Sequence, residues 1–567
     1  MSDPSRLARV PAWAWLFALV ILHLALAWPG AGERGIIAEE IQPYLHHYPE
    51  VVDGDRPLDR PARAWPPHDD VDRELGPRWI GTGQWPVLAW QGRDRIWPVF
   101  VRGHQTALGS WWGIALAPLL GDGVAGVRRS SVLLGLVLVL LLAAIARRSG
   151  LDPPFVALAG LVCVLSPGLW FFTRTGYGFE LASRVFMLAA LAIAARPSPI
   201  DRGRGTLIGL CVAAAILSRA TIAVTLGPAL ILLLVDPRRW PGFARFVWPG
   251  LLGVGLPIGL VGLALATLPF WSGTTPGADL PIAALAGRTL VAPACAFVQL
   301  AWVVDPRLIL APLVAGSLEV DLARGVIPAL IGSLVLVAAL VRWWRGRSRD
   351  GERMFVVALL ANASFGAWLY GKPMQFQLAM ALEPLFALAL IEQLHAVWQA
   401  RRRVGAWLIA AAILARASSL VSLAQAERAT GNPMLSGQAQ RAVVAAIEPL
   451  DPSRVLTTDY NHAGVLEAWT GERIHPIHGW PALASRGGDV DRLRAGFGSI
   501  LDGFAICHVL FTVGDNLVGG EFSDPIAAGE GLELALAERG RSVIERRVFG
   551  SEAGTPAFEL WSLSGCE

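Results

Sequence analysis

Residues 33–48 read ERGIIAEEIQPYLHHY and set Glu39 and Glu40 side by side just beyond the first hydrophobic segment. Paired carboxylates near a membrane boundary can take a proton from a hydroxyl or hold a cationic group. Neighbours in sequence point about 100° apart on a helix, so the two are not placed to act as one dyad. The same composition also suits a solvated, acidic juxtamembrane loop. Farther along, Arg174, Arg219 and Lys372 are cations that could face an anion, and Glu180 is a carboxylate flanked by apolar residues. Each of the three cations also reads as an interfacial anchor whose charged end snorkels to water. His46, His47, His68 and His104 have no cysteine or carboxylate spacing that completes a metal set, and adjacent histidines on a helix do not converge on one ion. No metal and no cofactor is expected; interfacial or substrate contact suits these histidines better.

The elements that must position such residues are membrane helices. The chain has 567 residues, 54% of them hydrophobic and only 16% charged, with a mean hydropathy of +0.49, whereas soluble domains carry about 25% charged residues. A net charge of +3 and the lack of any basic run with interleaved aromatics argue against nucleic acid as a partner. Many of the 23 tryptophans flank hydrophobic segments, where such rings anchor at the membrane interface. Cys163, Cys211 and Cys295 lie in hydrophobic segments as small apolar fillers. Cys507 and Cys566 lie in the polar tail and could pair if that tail is extracytoplasmic.

Arg6 and Arg9 precede an apolar run over 10–28. Ala25 and Ala27 would suit a cleavage site, but further spans and the acidic stretch follow, so an uncleaved first helix is expected. Residues 29–106 form a polar loop rich in Pro, Trp and Asp, too long for a turn. Its tryptophans and glycines suggest order against the membrane surface. Hydrophobic segments then recur at 106–120, 130–146, 155–172, 178–195, 206–235, 247–270, 281–301, 326–344, 354–371, 376–397 and 404–423. About 20 residues are needed to cross the hydrocarbon. The 206–235 run is too long for one span, and Ser218-Arg219 predicts two short or re-entrant helices with a basic tip. The 281–301 run, broken by Pro281 and Pro293, is expected to lie in the interface. Assigning every basic cluster (Arg6/Arg9, Arg147-Arg148, Arg196 to Arg204, Arg238 to Arg245, Arg342 to Arg353, Arg401 to Arg403) to the cytoplasm gives one consistent path. The acidic loop, residues 173–178, the Arg219 tip, 271–325, 371–375 and everything after about residue 423 then face outward.

The tail changes character. VLTTDY (455–460) and AICHVLFTV (505–513) read as short buried strands, and 462–471 and 527–540 as helices, which predicts a small extracytoplasmic α/β domain. The expected organisation is a polytopic α-helical membrane domain over 1–425, with about 11–13 membrane helices, followed by that domain over 426–567. No internal repeat is visible.

These features together resemble a known family. IIAEEIQPYL (36–45) resembles the acidic-pair-plus-tyrosine pattern that follows the first helix of GT-C glycosyltransferases, in the branch of the protein O-mannosyltransferases and lipid A aminoarabinose transferases; that family more often has Asp where Glu39 stands. Residues 107–142 resemble the lead into its second full helix. SPGLWFFTRTGYGFELASRVFMLAALAIAAR (166–196) resembles its second outward loop, with Arg174 and Glu180. GLCVAAAILSRATIAVTLGPALILLL (209–234) resembles its short helix pair, with Arg219 where a basic residue is common. YGKPMQFQLAMALEPLFALAL (370–390) is similar to its late helix, with Gln375-Phe376 in place of a basic-aromatic pair. The likeness spans about residues 10–425.

The resemblance implies an inner-membrane enzyme that moves a sugar from a polyprenyl phosphate to an extracytoplasmic hydroxyl on a lipid, glycan or protein, with inversion. It implies Glu39 as base, with Glu40 second and Glu33 third, and Arg174, Glu180, Arg219, Lys372 and Tyr44 as substrate contacts. Glu180 would orient an acceptor or pair with Arg174. The partners implied are the lipid-linked donor, the acceptor and membrane lipids. Two readings from other classes compete: a flippase for a lipid-linked sugar, which should show mid-membrane charges and a repeat between halves, and a non-catalytic scaffold presenting the tail domain.

Overall fold

The computed structural model describes residues 11–31, 76–80, 87–91, 96–102, 105–106, 108–121, 124–175, 178–196, 198–219, 221–236, 248–257, 259, 288, 290–315, 322–370, 379–430, 437–450, 454–458, 466, 476–479, 483, 489–513, 525–551 and 553–566. Glu33, Glu39, Glu40, Tyr44, Lys372 and the histidines at 46, 47, 68 and 104 lie outside the described residues, as does all of the expected helix 462–471 except Leu466.

In chain order, α1 (Ala12–Ala27) is followed by β1 (Gly76–Ile80), β2 (Val87–Gln91), β3 (Ile96–Arg102) and β4 (Gln105–Thr106). Helices α2 (Leu108–Leu120), α3 (Val124–Arg148), α4 (Pro153–Val164), α5 (Pro167–Thr175), α6 (Gly178–Ala194), α7 (Arg202–Ser218) and α8 (Ile222–Leu234) come next. After a π-helical turn at Leu251–Gly255 stand α9 (Ala292–Val304), α10 (Arg307–Ala315), α11 (Leu322–Trp344), α12 (Asp350–Tyr370), α13 (Glu383–Ala400), α14 (Arg402–Thr430) and α15 (Gly437–Ile447). The tail adds β5 (Val455–Thr457), β6 (Ile477–His478), α16 (Val490–Gly503), β7 (His508–Thr512), α17 (Pro525–Ala537), β8 (Val543–Gly550) and β9 (Pro556–Leu563).

The chain divides into two units, one of 1–29, 131–310 and 320–424, the other of 30–130, 311–319 and 425–567. Within the first, α6 packs on α7, α8 on α12, α9 on α11 and α12, and α13 on α4 and α12. Among the described residues three helices are long and apolar enough to cross a membrane, at Ala125–Arg148, Ala323–Trp344 and Arg402–Thr430. The pair α4 and α5, bent by 56°, makes a fourth if taken as one span. Pro167 and Ser166 make that bend: Ser166 Oγ accepts the Leu169 N–H at 3.0 Å and caps α5 as a fresh helix. The 206–235 run breaks where its sequence predicts, with α7 ending at Ser218, Arg219 in extended backbone (φ −158°, ψ 111°) and α8 starting at Ile222.

Helix α9 packs against α11 and α12. Its 13 residues reach about 20 Å, and Cys295, Gln299, Leu300, Ala301 and Val303 are buried. Glycine permits the close approach: a Cβ on Gly332 of α11 would stand 2.9 Å from Leu300 Cβ. Gly325 of α11 faces Ala301 and Leu308, while Gly332, two turns along, faces Leu300 and Val304. Helices α9 and α10 join at Asp305-Pro306. At the Arg342 end of α11, Arg342 Nε donates to Glu352 at 2.7 Å. Glu392 of α13 accepts the Gly351 and Glu352 N–H groups at 3.2 and 2.8 Å, which caps α12 from a neighbouring helix.

In the second unit, β1 to β4 form an antiparallel sheet in sequence order, with Trp79 opposite Leu88 and Trp90 opposite Trp97. Pro77 and Pro98 within those strands hide this sheet from a sequence reading, because proline is depleted in strands. The tail sheet runs β6-β5-β7-β9-β8, parallel across its first three strands and antiparallel across the last three. Helices α16 and α17 cover one face through Leu493, Phe497, Ile500, Leu532 and Leu536, packed on Phe511 and Trp561. Helix α15 packs through Val443 and Ile447 on the other side of that sheet, against Phe558 and Leu560. Cys507 and Cys566 are joined in a disulfide.

Phe497 is fully buried with its ring 6.4 Å from that of Phe511. Phe497→Ala should cost about 3–5 kcal/mol in this domain. Hydrogen exchange on the intact protein should show it as lost amide protection in β7, with helices α11 and α12 unchanged.

Candidate active site

Glu180 stands in the first turn of α6 and is 1% exposed. A carboxylate so placed needs a cation, and Arg219 supplies it through a direct ion pair. The extended backbone at Arg219 turns its side chain back from the α7–α8 junction, and its Nε donates to Thr221 Oγ1 at 3.2 Å. Arg184 follows Glu180 by one helical turn and therefore shares its face. Its guanidinium lies 4.5 Å from the Phe172 ring centroid, and the charges of Glu180, Glu383 and Arg219 act on it.

Glu383 opens α13 and is buried. It accepts Arg416 Nη1 at 2.9 Å and a hydrogen bond from Ser166 at the α4–α5 bend. Its Oε2 lies so close to Gly168 that a Cβ there would stand 2.5 Å away. Arg416, in the middle of α14, also donates Nη2 to Val303 O at 3.0 Å, and Ser419 one turn on donates to Asp305 Oδ1 at 2.7 Å. Asp305 further takes Arg307 Nε and Nη2 at 2.9 and 2.7 Å. Two residues of α14 thus fasten the α9–α10 junction.

Arg174 has a different place. Its Nη1 donates to Pro29 O at 2.6 Å, its guanidinium lies 4.9 Å from the Trp170 ring, and Trp170 Nε1 donates to Leu26 O at 3.1 Å. The α5 helix so grips the C-terminal end of α1, ten residues ahead of Glu39. Glu180, read from sequence as orienting an acceptor or pairing with Arg174, forms its ion pair with Arg219, because the break after Ser218 brings Arg219 back onto α6. Of the residues singled out from sequence, Glu180 and Arg219 are brought together and Arg174 is held on α1. Arg184, Glu383 and Arg416 complete the cluster and were not foreseen. Their signal was present, since a charge inside an apolar helix is a functional candidate by default. Among the described residues no group of three or more His, Cys, Asp or Glu side chains could hold a metal ion.

A chain with a bundle of helices enclosing buried ion pairs and a separate α/β domain has solved counterparts. No family model matches the sequence, and no curated protein does. ArnT from Cupriavidus metallidurans bound to undecaprenyl phosphate matches in structure with a TM-score of 0.50 at 12% identity, over 97% of this chain and 98% of that one. The apo form of the same protein gives 0.48 at 14% identity over the same shares. The Archaeoglobus fulgidus oligosaccharyltransferase tethered to an acceptor peptide gives 0.45 at 12% identity, over 96% of this chain and 74% of that one. The fold is therefore the one seen in that undecaprenyl-phosphate-bound ArnT, a polytopic helical domain with an α/β domain at its C-terminal end.

Arg416→Leu leaves Glu383 buried without its cation and should destabilise the protein by about 3–5 kcal/mol. The double variant Glu383→Gln/Arg416→Leu should recover most of that loss, read as thermal denaturation in detergent micelles.

Proposed function

We propose that this protein is a glycosyltransferase that moves a sugar from a polyprenyl phosphate to an extracytoplasmic hydroxyl, with inversion at the anomeric carbon. One observation carries the reading: the buried cluster gathers three guanidiniums, of Arg184, Arg219 and Arg416, around two carboxylates, of Glu180 and Glu383. Fixed positive charge of that kind stabilises a phosphate as it leaves, and it does so best where water is excluded. The fold shared with an ArnT that binds undecaprenyl phosphate supports the same donor class.

In the proposed step the acceptor oxygen attacks the anomeric carbon while the lipid phosphate departs from the opposite face. Glu39 takes the hydroxyl proton, with Glu40 the second candidate and Glu33 the third. Arg219 faces the departing phosphate, Lys372 is the second candidate for that contact, and Tyr44 contacts the sugar. Glu180 holds Arg219 in place and so acts through it. The grip of Arg174 on Leu26 and Pro29 makes it a positioning residue for the segment that carries Glu39. Residues 1–425 form the catalytic part, and the tail domain from 426 faces the extracytoplasmic side of the inner membrane. The Cys507–Cys566 disulfide supports that side, because disulfides persist in oxidising compartments.

Membranes carrying the wild type should transfer labelled sugar from one of a panel of undecaprenyl-phosphate-linked donors. Glu39→Gln should lower that transfer about 10²–10⁴-fold at normal expression. Unchanged transfer in both Glu39→Gln and Glu40→Gln would take the acidic pair out of the mechanism. Wild-type membranes that transfer from no donor of the panel would overturn the reading.

A further inference from the structure

Cys507 immediately precedes β7, the central strand of the tail sheet, and Cys566 lies three residues after β9. Each sulfur has a guanidinium beside it. Arg541 Nη2 stands 3.2 Å from Cys566 Sγ, and Arg454 Nη1 stands 3.8 Å from Cys507 Sγ. A staple whose only task is to hold the chain gains nothing from two cations on its sulfurs. Cations beside sulfur stabilise thiolate, which is both the attacking and the leaving species in thiol–disulfide exchange.

We propose that the Cys507–Cys566 bond is a site of reversible thiol–disulfide exchange with an external dithiol. Cys507 is buried and Cys566 half-buried, so an incoming thiolate meets Cys566 Sγ. It bonds to that sulfur, the S–S bond breaks, and Cys507 leaves as a thiolate facing Arg454. The second thiol of the reductant, as its thiolate, then displaces Cys566. Both electrons come from the dithiol, which ends as a disulfide, and its two protons pass to solvent or to the released thiolates.

The surrounding hydrogen bonds make the opening reversible. Arg541 also donates to Ser564 O and Ile506 O, both at 2.7 Å, and the Leu563 N–H donates to Cys507 O at 2.9 Å. Ser564 N–H meets Ser542 O, and Ser542 N–H meets Ser564 Oγ, each at 2.8 Å. None of these bonds depends on the sulfurs, so the C-terminal residues stay beside β7 when the bridge is open. The two thiols remain neighbours, ready to close again.

The sign of an arginine substitution tests this. On the full-length protein in detergent micelles, free cysteines are first blocked with N-ethylmaleimide. Reduction by dithiothreitol at fixed pH is then followed by the mass shift from a maleimide polymer. Arg454→Gln and Arg541→Gln should each slow reduction about three- to tenfold, and Arg541→Lys should restore most of the rate. A purely structural role predicts the reverse, since a loosened tail exposes the bond and speeds its reduction. Should Arg541→Gln fail to fold, Arg454→Gln and the wild type at rising salt carry the test, because screening should slow the wild type as well. Rates unchanged or faster in the variants would overturn the proposal.

Discussion

The buried ion pair between Arg416 and Glu383 is the contact on which the arrangement of the helical unit depends. Neither charge would be stable alone in an apolar interior, since moving one ion out of water costs several kcal/mol even after relaxation. Each charge therefore constrains where the other's helix sits. Arg416 also holds the Val303 carbonyl and Glu383 also holds Ser166. One pair thus fixes four things: the start of α13, the middle of α14, the end of α9 and the bend between α4 and α5. Apolar packing between helices is tolerant of sliding, because one leucine face fits another nearly as well when shifted. A guanidinium with two directed acceptors does not tolerate it.

From the α4–α5 bend the constraint passes outward along the chain. The bend aims α5, and α5 carries Trp170 and Arg174 to the last carbonyls of α1. Those carbonyls are left unpaired within their own helix, as the final ones of any helix are, so side-chain donors satisfy them at little cost. The same α5 sets Phe172 under Arg184, which brings that guanidinium within the field of both Glu180 and Glu383. The cluster is therefore assembled from elements far apart in sequence, each held by a charge or a terminal backbone group rather than by apolar contact alone.

That explains which parts were legible in the sequence. Composition and hydropathy show the membrane class because the bilayer selects for apolar residues at every lipid-facing position. The break at Ser218-Arg219 is legible because a lone arginine in a mostly apolar run of 30 residues must emerge somewhere. Strands β5 and β7 and helix α17 are legible from short apolar runs and periodicity. The pairing of Arg416 with Glu383 is not: the two residues lie 33 positions apart on different helices, and nothing local to either names its partner. The sheet over 76–106 was hidden for a different reason, since its prolines contradict the usual strand pattern while its antiparallel register still forms around them.

The charges also differ in what they can do once placed. Arg416 has both ends of its guanidinium committed, one to a carboxylate and one to a carbonyl, and its side chain is 5% exposed. Arg219 is 18% exposed although its partner Glu180 is buried, so its ion pair lies at the edge of the cluster and not at its centre. In the proposed step the order of the cluster, from Arg416 at its centre to Arg219 at the rim, is an order from structural to chemical use. The residue most exposed is also the one that the break in the 206–235 run places at the junction of α7 and α8, the irregularity that the sequence announces most clearly.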